Sequence, residues 1–391
     1  MKYLSKNDDI YYEMGISTNA NVCAVFKTYT LGGRLAATPL FRALGKRFGK
    51  NVAIVADHGT ADFFKTNPYG IRVFDFGEGV PNYCEEERPA YVDEIQKCDF
   101  RTVIVLPLSE SSYAELAAHK AFPNSSQRIG SGSMLENFLA GRQHSFPGFF
   151  GSDIALDHYK TNVVLNADVN IPFPEPYRWD DPDIKYIGDS FLQYIRAMGI
   201  EESYSRPEVW TTDDDAVAAQ RHLERHDVNK NDLLIGVNVQ GATVQWPMEY
   251  AARIIRYFLS PNAEQLLGKK PKIFANYSLA ESGYASRLMS LLPQDSRIIP
   301  SPIPGNHRLS AELIKKCSYL ITAQSGPAVI AQCANVDTPC SVLYRGTSLS
   351  KAWMYPGARV MPFIARGEVD NIKADEVYFS SISAILEWFK K

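Results

Sequence analysis

The feature that most constrains the fold of this 391-residue chain is a repeated alternation of short apolar runs with amphipathic segments. In the first half, short apolar runs alternate with segments of helical spacing, of which the clearest is 35–49. The apolar runs are 22–27, 52–57, 71–76 and 102–108. Short apolar runs bounded by turn residues are typical of strands that are buried on both faces. Strand, helix and strand in repetition predict a parallel sheet that is covered by helices on both sides.

The second half of the chain repeats this pattern. Predicted strands at 233–240, 272–276 and 319–323 alternate with predicted helices, and "ISAILEWFKK" near the end is amphipathic. Residues 141–185 are instead rich in Pro, Gly, Asp and aromatic residues, which is typical of irregular structure. We therefore predict an α/β protein with two Rossmann-like parallel-sheet domains, whose strand-end loops and helix N-termini face a central cleft.

The length of the chain also favours two domains, because single hydrophobic cores stop growing beyond about 250–300 residues. We predict an N-terminal domain at 1–175, an interdomain crossing with helices at 176–230 and a C-terminal domain at 231–375. A C-terminal helix at 376–391 is expected to pack back on the N-terminal domain.

Composition excludes several classes of protein. Hydrophobic residues make up 45% and charged residues 22% of the chain, as in globular proteins, and the net charge of −3 argues against nucleic-acid binding. The N-terminus lacks the apolar segment of a secretion signal, and no apolar run approaches the ~20 residues of a membrane span. The six cysteines form no C-x-x-C pair and no metal-ligand spacing. We expect reduced thiols in a soluble, cytoplasmic protein; its oligomeric state is open.

The strongest chemical signal is "ITAQSGPAVIAQCA", where a predicted strand ends at Gln324. Ser325 can cap the following helix, and Pro327 lies in its first turn, where a missing N–H is harmless. The free amides of that turn, with the positive end of the helix dipole, form an anion site, and Gly326 leaves room for a phosphate. An ordinary capped turn between strand and helix explains the same residues equally well.

A second turn, "NVQGATVQWP", also follows a predicted strand of the C-terminal domain. It offers Gln240, Gly241 and the hydroxyl of Thr243, and two such turns in one domain favour a diphosphate site. The alternative is a loop whose tryptophan closes the domain. Arg345, at the end of a later strand, is a candidate cation for the diphosphate, although a solvated or salt-bridged surface arginine is the more ordinary interpretation.

The turn after the first strand, "KTYTLGGRLAATP" at 27–39, contains two glycines and no acid. Gly32 and Gly33 allow an acceptor or a sugar to approach the backbone closely. Lys27 and Arg34 offer cationic stabilisation to a leaving diphosphate, unless they are solvated or salt-bridged surface cations. We interpret this segment as an acceptor-side turn.

The order of these segments resembles the family 9 glycosyltransferases, the heptosyltransferases of bacterial lipopolysaccharide synthesis. The residues that match the motifs of this family are spread over most of the chain: Lys27, Thr28, Gly32, Leu35, Pro39, Asn67–Pro68, Arg128–Gly130, Gly241, Ala242, Trp246, Pro247, Ser325–Pro327, Thr338–Pro339 and Gly346–Thr347. The resemblance implies the GT-B fold and an inverting, metal-independent transfer of a sugar from a nucleotide diphosphate sugar to a hydroxyl.

The donor implied by the family is ADP-heptose, with no further cofactor; the acceptor, a glycan, protein or small molecule, is left open. Three charged positions of the family are replaced here. The acid that serves as general base falls at Gly33, the lysine before W-P at Val244, and the acid before S-G-P at Gln324. The roles of those charged residues therefore do not transfer to this chain.

A general base must then come from elsewhere on the same sheet edge. Asp57 and His58 follow the second predicted strand, and Glu110 follows the fourth, so all three are candidates. Helix capping is the competing interpretation of Asp57 and His58.

We predict no metal site. His222 and His226 share one helix face but lack a third ligand, and Asp213–Asp215 are interpreted as a helix start. The alternative to an active transferase is a catalytically silent GT-B paralogue that binds an assembly partner. A nicotinamide-dependent oxidoreductase is disfavoured, because no strand is followed by G-x-G-x-x-G.

Overall fold

The computed structural model describes the ranges 21–26, 30–76, 90–106, 121–123, 127–130, 169–170, 186–196, 198–238, 244–276, 282–302, 306–365 and 368–388. These residues fall into two compact units. The first lies within 1–175 and 188–205, and the second within 176–187 and 206–391. The domain boundaries that we predicted from the sequence are not tested by this division into units and remain predictions.

Two groups of strands correspond to the two units. The strands of the first unit are β1 (Val22–Val25), β2 (Val52–Ala56), β3 (Arg72–Asp75), β4 (Thr102–Val105), β5 (Gln127–Gly130) and β6 (Val169–Asn170). The strands of the second unit are β7 (Leu233–Asn238), β8 (Pro271–Ala275), β9 (Ile298–Pro300), β10 (Tyr319–Ala323), β11 (Cys340–Tyr344) and β12 (Val360–Ile364).

Helices connect most of these strands. In chain order they are α1 (Leu31–Phe48), α2 (His58–Phe64), α3 (Ala90–Gln96), α4 (Ile187–Arg196), α5 (Asp213–Arg225), α6 (Met248–Phe258), α7 (Pro261–Leu267), α8 (Ser282–Leu291), α9 (His307–Lys316), α10 (Gly326–Gln332), α11 (Thr347–Trp353) and α12 (Ala374–Trp388). Within the described part of the chain, none of them combines the length and the hydropathy that a membrane crossing requires.

Both sheets are parallel and have the same topology. The first has the order β3-β2-β1-β4-β5-β6, and the second, read from the other side, has the order β9-β8-β7-β10-β11-β12. In each sheet the strand order reverses next to the first strand, between β1 and β4 and between β7 and β10. Ligands of open α/β sheets bind at the carboxyl ends of the strands at such switch points. The predicted pair of Rossmann-like parallel sheets is confirmed.

Helix α1 begins earlier than the sequence pattern indicated, at Leu31 instead of 35. Thr30 is its N-cap, with extended backbone and a side-chain oxygen that accepts from Gly33 N–H at 3.2 Å. Gly32 and Gly33 are therefore buried residues of the first helical turn and not of a loop. The two glycines looked like a turn because glycine disfavours helix interiors, and here the cap outweighs that preference.

Pro39 lies inside α1, where its missing N–H leaves a carbonyl without the usual helical donor. That carbonyl belongs to Leu35, and the buried hydroxyl of Thr38 donates to it at 2.7 Å. The side chain of Thr38 thus supplies the hydrogen bond that the proline cannot, and the helix continues to Phe48.

Aromatic rings form much of the packing in the first unit. Phe26, directly after β1, has edge-to-face contacts with Phe41 of α1, Phe64 of α2 and Phe191 of α4, at centroid distances of 5.7, 5.8 and 6.0 Å. These contacts fasten three helices to the end of the central strand. Helix α4 follows a long stretch of chain that includes part of the second unit, and its ring still contributes to this core.

The core of the second unit is built around Trp246, Phe258 and the inner faces of the strands. Helix α12 packs there, with Tyr378 against Phe258 at a centroid distance of 5.1 Å and Trp388 against Tyr319 at 5.7 Å. The expected packing of the C-terminal helix on the N-terminal domain remains a prediction, since these contacts lie within the second unit.

Candidate functional sites at the strand ends

The carboxyl ends of the central strands in the second sheet bear uncharged polar side chains, which we call the polar edge. Its members are Asn238 at the end of β7, Asn276 after β8, Ser301 after β9, Thr322 in β10 and Ser325 after β10. All except Ser325 are buried. Apolar strands that each end in a buried polar group are typical of a ligand-binding edge and not of a packing surface.

Hydrogen bonds connect the polar edge across the switch point between β7 and β10. Asn238 Nδ2 donates to the carbonyl of Asn276 at 2.9 Å, and its Oδ1 lies 3.5 Å from the hydroxyl of Ser325. The hydroxyl of Ser325 donates to the carbonyl of Ala323 at 3.0 Å. The side chains are thus oriented mainly by backbone carbonyls.

Two buried oxygens at this edge have no hydrogen-bond partner among the described residues. They are Ser301 Oγ and Gln324 Oε1. Buried polar atoms without a protein partner mark places where a water molecule or a ligand completes the hydrogen bonding. Gln324 stands where the family has an acid, and it presents a neutral acceptor at that position.

The capping role expected of Ser325 is corrected by the structure. Ser325 occupies the N-cap position of α10, but its side chain forms no capping bond, because its hydroxyl points back to Ala323. Among the described residues no side chain caps the first turn of α10, which contains Gly326 and Pro327. Pro327 has no N–H, and the amide of Ala328 donates to the backbone carbonyl of Ser325 at 3.1 Å, which leaves the amide of Gly326 without a hydrogen bond among the described residues.

Arg345 follows β11 and forms an ion pair with Glu368. Both side chains are substantially exposed, at 38% and 63%. This partner supports the interpretation of Arg345 as a salt-bridged surface residue, and its role toward a diphosphate remains a prediction.

Val244 shows why the family's lysine has no counterpart here. Its side chain is 2% exposed and belongs to the core that contains Trp246. The indole N–H of Trp246 donates to the carbonyl of Ile372 at 2.9 Å, so this tryptophan closes the domain, as the competing interpretation of the turn predicted. A lysine ammonium at this buried position would lose its hydration without a partner.

In the first unit, three of the predicted site residues lie together at the ends of β1 and β2. Arg34, in the first turn of α1, places its guanidinium over Gly59: a Cβ on Gly59 would lie 3.3 Å from Nη2. Burial lowers the pKa of Arg34, and the nearby charge of Asp57 opposes that shift. Arginine remains protonated in spite of such a shift, so this corner carries a positive charge.

Asp57 and His58 begin α2 and have different partners. Asp57 is the N-cap, and its Oδ1 accepts from the amide of Thr60 at 3.0 Å. His58 Nδ1 lies 2.8 Å from Oδ2 of Asp75, the last residue of β3. The sequence interpretation missed Asp75, although its position at the end of an apolar strand was the available signal.

Several candidate residues lie outside the described residues, so the structure does not test them. They are Lys27, Glu110, Gln240, Gly241 and Thr243. In the described ranges, no group of three or more His, Cys, Asp or Glu residues is arranged to bind a metal ion. Asp213 and its neighbours start α5, where Thr212 and Asp215 form a capping box.

The buried cysteines take no part in either strand-end region. Cys23, Cys317, Cys333 and Cys340 are free thiols in the core, and burial raises the pKa of each. A thiol of this kind is a poor nucleophile, because the thiolate is the reactive form.

Sequence comparison alone leaves the family open, since no family model and no curated protein sequence matches the chain. The fold is recognisable. The family 9 glycosyltransferase of Veillonella parvula DSM 2008 superposes with a TM-score of 0.68 at 15% identity, covering 96% of this chain and 100% of that chain. The chain therefore has the α/β fold of a glycosyltransferase of this family over nearly its full length.

Two heptosyltransferases of E. coli have the same fold. ADP-heptose lipopolysaccharide heptosyltransferase II has a TM-score of 0.64 at 13% identity, covering 94% of this chain and 99% of that chain. The heptosyltransferase WaaC, solved with ADP, has a TM-score of 0.59 at 14% identity, covering 93% and 99%. The fold implied by the motif resemblance, that of the heptosyltransferases, is confirmed.

Proposed function

We propose that the chain is an inverting, metal-independent glycosyltransferase that moves a sugar from a nucleotide diphosphate sugar to a hydroxyl acceptor. The observation that carries this proposal is the polar edge at the switch point of the second sheet, on a chain with the full-length fold of heptosyltransferases. The family resemblance suggests ADP-heptose as donor, and the acceptor is a glycan, a protein or a small molecule.

The chemistry of the second unit supports nucleotide binding. Asn238, Thr322 and Ser325 offer neutral donors and acceptors, and the first turn of α10 offers the backbone N–H of Gly326. Neutral groups bind a diphosphate without carboxylate repulsion, and amides stabilise the charge that develops on the leaving group. Gln324 Oε1, which has no hydrogen-bond partner among the residues that the structure describes, adds an acceptor for a ribose or sugar hydroxyl.

The first unit supports the acceptor and acid–base half of the reaction. It brings Arg34, Asp57 and His58 together at the ends of neighbouring parallel strands. Asp57, His58 and Glu110 are the candidate bases that remove the acceptor proton. Arg34 supplies positive charge beside them, and it follows Gly33, the position of the family's carboxylate.

Calorimetric titration with ADP, UDP and NAD tests the binding step, and release of nucleotide from ADP-heptose, ADP-glucose and UDP-glucose tests the reaction. We expect a nucleoside diphosphate to bind, NAD not to bind, and at least one nucleotide sugar to be hydrolysed slowly. If none of the nucleotides binds, the proposal is wrong.

A second candidate function is a catalytically silent paralogue that binds an assembly partner. The replacement of three charged family positions by Gly33, Val244 and Gln324 favours it. Binding of ADP without nucleotide release from any of the three sugars, even at high enzyme concentration, distinguishes this function from transfer.

A further inference from the structure

We propose that His58 is the general base of the transfer reaction and that Asp75 is its positioning residue. This inference rests on the proposed function and adds the group that replaces the family's missing acid. It concerns the edge of the first sheet formed by the ends of β1, β2 and β3, which are adjacent and parallel.

The contact between the two side chains fixes which ring nitrogen is basic. Asp75 Oδ2 lies 2.8 Å from His58 Nδ1, and an ionised carboxylate can only accept a hydrogen bond. Nδ1 therefore carries the proton in the neutral ring, and Nε2 carries the lone pair. No described residue forms a hydrogen bond with Nε2, and the His58 side chain is 53% exposed, so a substrate hydroxyl can reach it.

Asp57 is less suited to the same task. Its Oδ1 already accepts from the amide of Thr60, and its charge faces the guanidinium of Arg34. The capping bond occupies one carboxylate oxygen and fixes the side chain at the start of α2. Asp57 therefore starts the helix that presents His58.

The position of His58 explains how a base that follows β2 can replace the family's acid, which follows β1. The family's acid falls at Gly33 in the first turn of α1, after β1, whereas His58 follows the adjacent strand β2. Val25 and Val55 are paired residues of these strands, so both strand ends lie at one edge. Arg34, next to Gly33, contacts Gly59, next to His58, which shows that the two segments meet.

Several charged side chains lie around the His58 imidazole. Asp75 provides the negative charge directly at the ring, and its side chain is 25% exposed. Lys65 Nζ lies 3.7 Å from the same Oδ2 and 4.0 Å from Oδ1 of Asp62. Arg34 and Asp57 are further charged groups in the described part of this corner, and their charges are opposite.

In the proposed step, the acceptor O–H bond breaks and its proton passes to Nε2 of His58. The freed oxygen lone pair forms the bond to the anomeric carbon from the face opposite the diphosphate. The bond between that carbon and the diphosphate oxygen breaks, and its electron pair leaves with the nucleoside diphosphate. The imidazolium then returns its proton to water, which restores the base.

The test is a His58→Ala variant of the full chain, with nucleotide release from the donor panel as the assay and water as the acceptor. We expect kcat to fall by about 10²–10⁴-fold, which is the usual contribution of a general base, with an unchanged KM for the donor. Free imidazole should restore part of the rate, because it can enter the space left by an exposed side chain.

Asp75→Asn tests the positioning role. We expect it to lower kcat in the wild-type background and to have no further effect in the His58→Ala background, because Asp75 acts through the imidazole. Multiplicative effects of the two substitutions would show a purely structural role for Asp75. His226→Ala, at the C-cap of α5 in the second unit, is the matched histidine control and should retain the full rate.

The outcomes separate the two proposals. A wild-type chain that releases nucleotide, together with a His58→Ala variant of equal rate, overturns the assignment of the base and leaves the transferase intact. A slow His58→Ala variant that imidazole does not accelerate also overturns it. A wild-type chain that releases no nucleotide from any donor overturns the proposed function and the base with it.

Discussion

The indole N–H of Trp246 donates to the carbonyl of Ile372 at 2.9 Å, which joins the segment after β7 to the segment before α12. Trp246 and Ile372 are both buried, so the carbonyl loses its buried donor when the indole is removed. We expect Trp246→Phe to lower the free energy of unfolding of the second unit by about 1–3 kcal/mol, the penalty of an unsatisfied buried carbonyl. Urea unfolding followed by circular dichroism measures it.

Trp388→Phe is the matched control, because this half-buried ring packs on Tyr319. Its loss of stability should be smaller than that of Trp246→Phe. Equal losses in the two variants would mean that aromatic packing alone, and not the hydrogen bond to Ile372, decides the result.

The role of Asp57 as a helix cap can be separated from a role as a base. Asn caps helices as well as Asp does, so Asp57→Asn should retain both stability and the rate of nucleotide release. Asp57→Ala should lose about 0.5–2 kcal/mol of stability, because the amide of Thr60 loses its acceptor. Thermal unfolding and the nucleotide-release assay measure the two properties. A large loss of rate in Asp57→Asn would make the carboxylate itself catalytic.

A charge at position 325 tests the diphosphate site without disturbing the helix. Ser325 occupies the N-cap of α10, where Asp and Asn are both favourable. We expect Ser325→Asp to weaken ADP binding tenfold or more, about 1.4 kcal/mol, through repulsion of the diphosphate. Ser325→Asn is the neutral control and should bind ADP nearly as well as the wild type. The prediction is wrong if calorimetry gives equal affinities for the two variants.

His222 predicts an acid sensitivity of the second unit. Burial lowers its pKa from 6.5, the hydrogen bond to the carbonyl of Pro300 opposes this shift, and His226 and Arg225 add to it. The folded state therefore binds this proton less tightly than the unfolded chain does. As the pH falls through 6.5 toward the lower folded pKa, the unfolded chain gains the proton first and stability is lost.

His222→Gln removes the titration and retains a side-chain N–H that can donate to Pro300. Urea unfolding at about pH 7.5 and about pH 5 should show a smaller acid-induced loss of stability in the variant than in the wild type. An identical loss in both proteins would assign the acid sensitivity to other groups.

The sequence predicted the architecture because buried parallel strands have an unmistakable apolar pattern. The runs at 22–27, 52–57 and 319–323 all contain strands of the structure, and the two-sheet α/β fold is confirmed. Strand β5 was noticed only as a motif, since a four-residue strand that contains Gln and Arg has no apolar signature. Strand β6, with two residues, is too short to be recognised from any local pattern.

The candidate sites were predictable only where the signal is local. Asp57, His58 and Arg34 were found because each directly follows a strand or begins a helix. The pairing of His58 with Asp75 depends on β2 and β3 being neighbours, which the strand order decides and local sequence does not. The polar edge was incompletely predicted for the same reason. Asn276 and Ser301 become candidate site residues only when the strand order places β8 and β9 on the same side of β7.

The first unit is built from two separate ranges of the chain, which limits the fragments that can be produced as stable domains. Helix α4 returns to that unit within 188–205, after a segment that belongs to the second unit, and its Phe191 contacts Phe26. A recombinant fragment that stops at 175 would leave Phe26 without this ring and exposed to aggregation. During synthesis, likewise, Phe191 can complete this aromatic cluster only after it has left the ribosome.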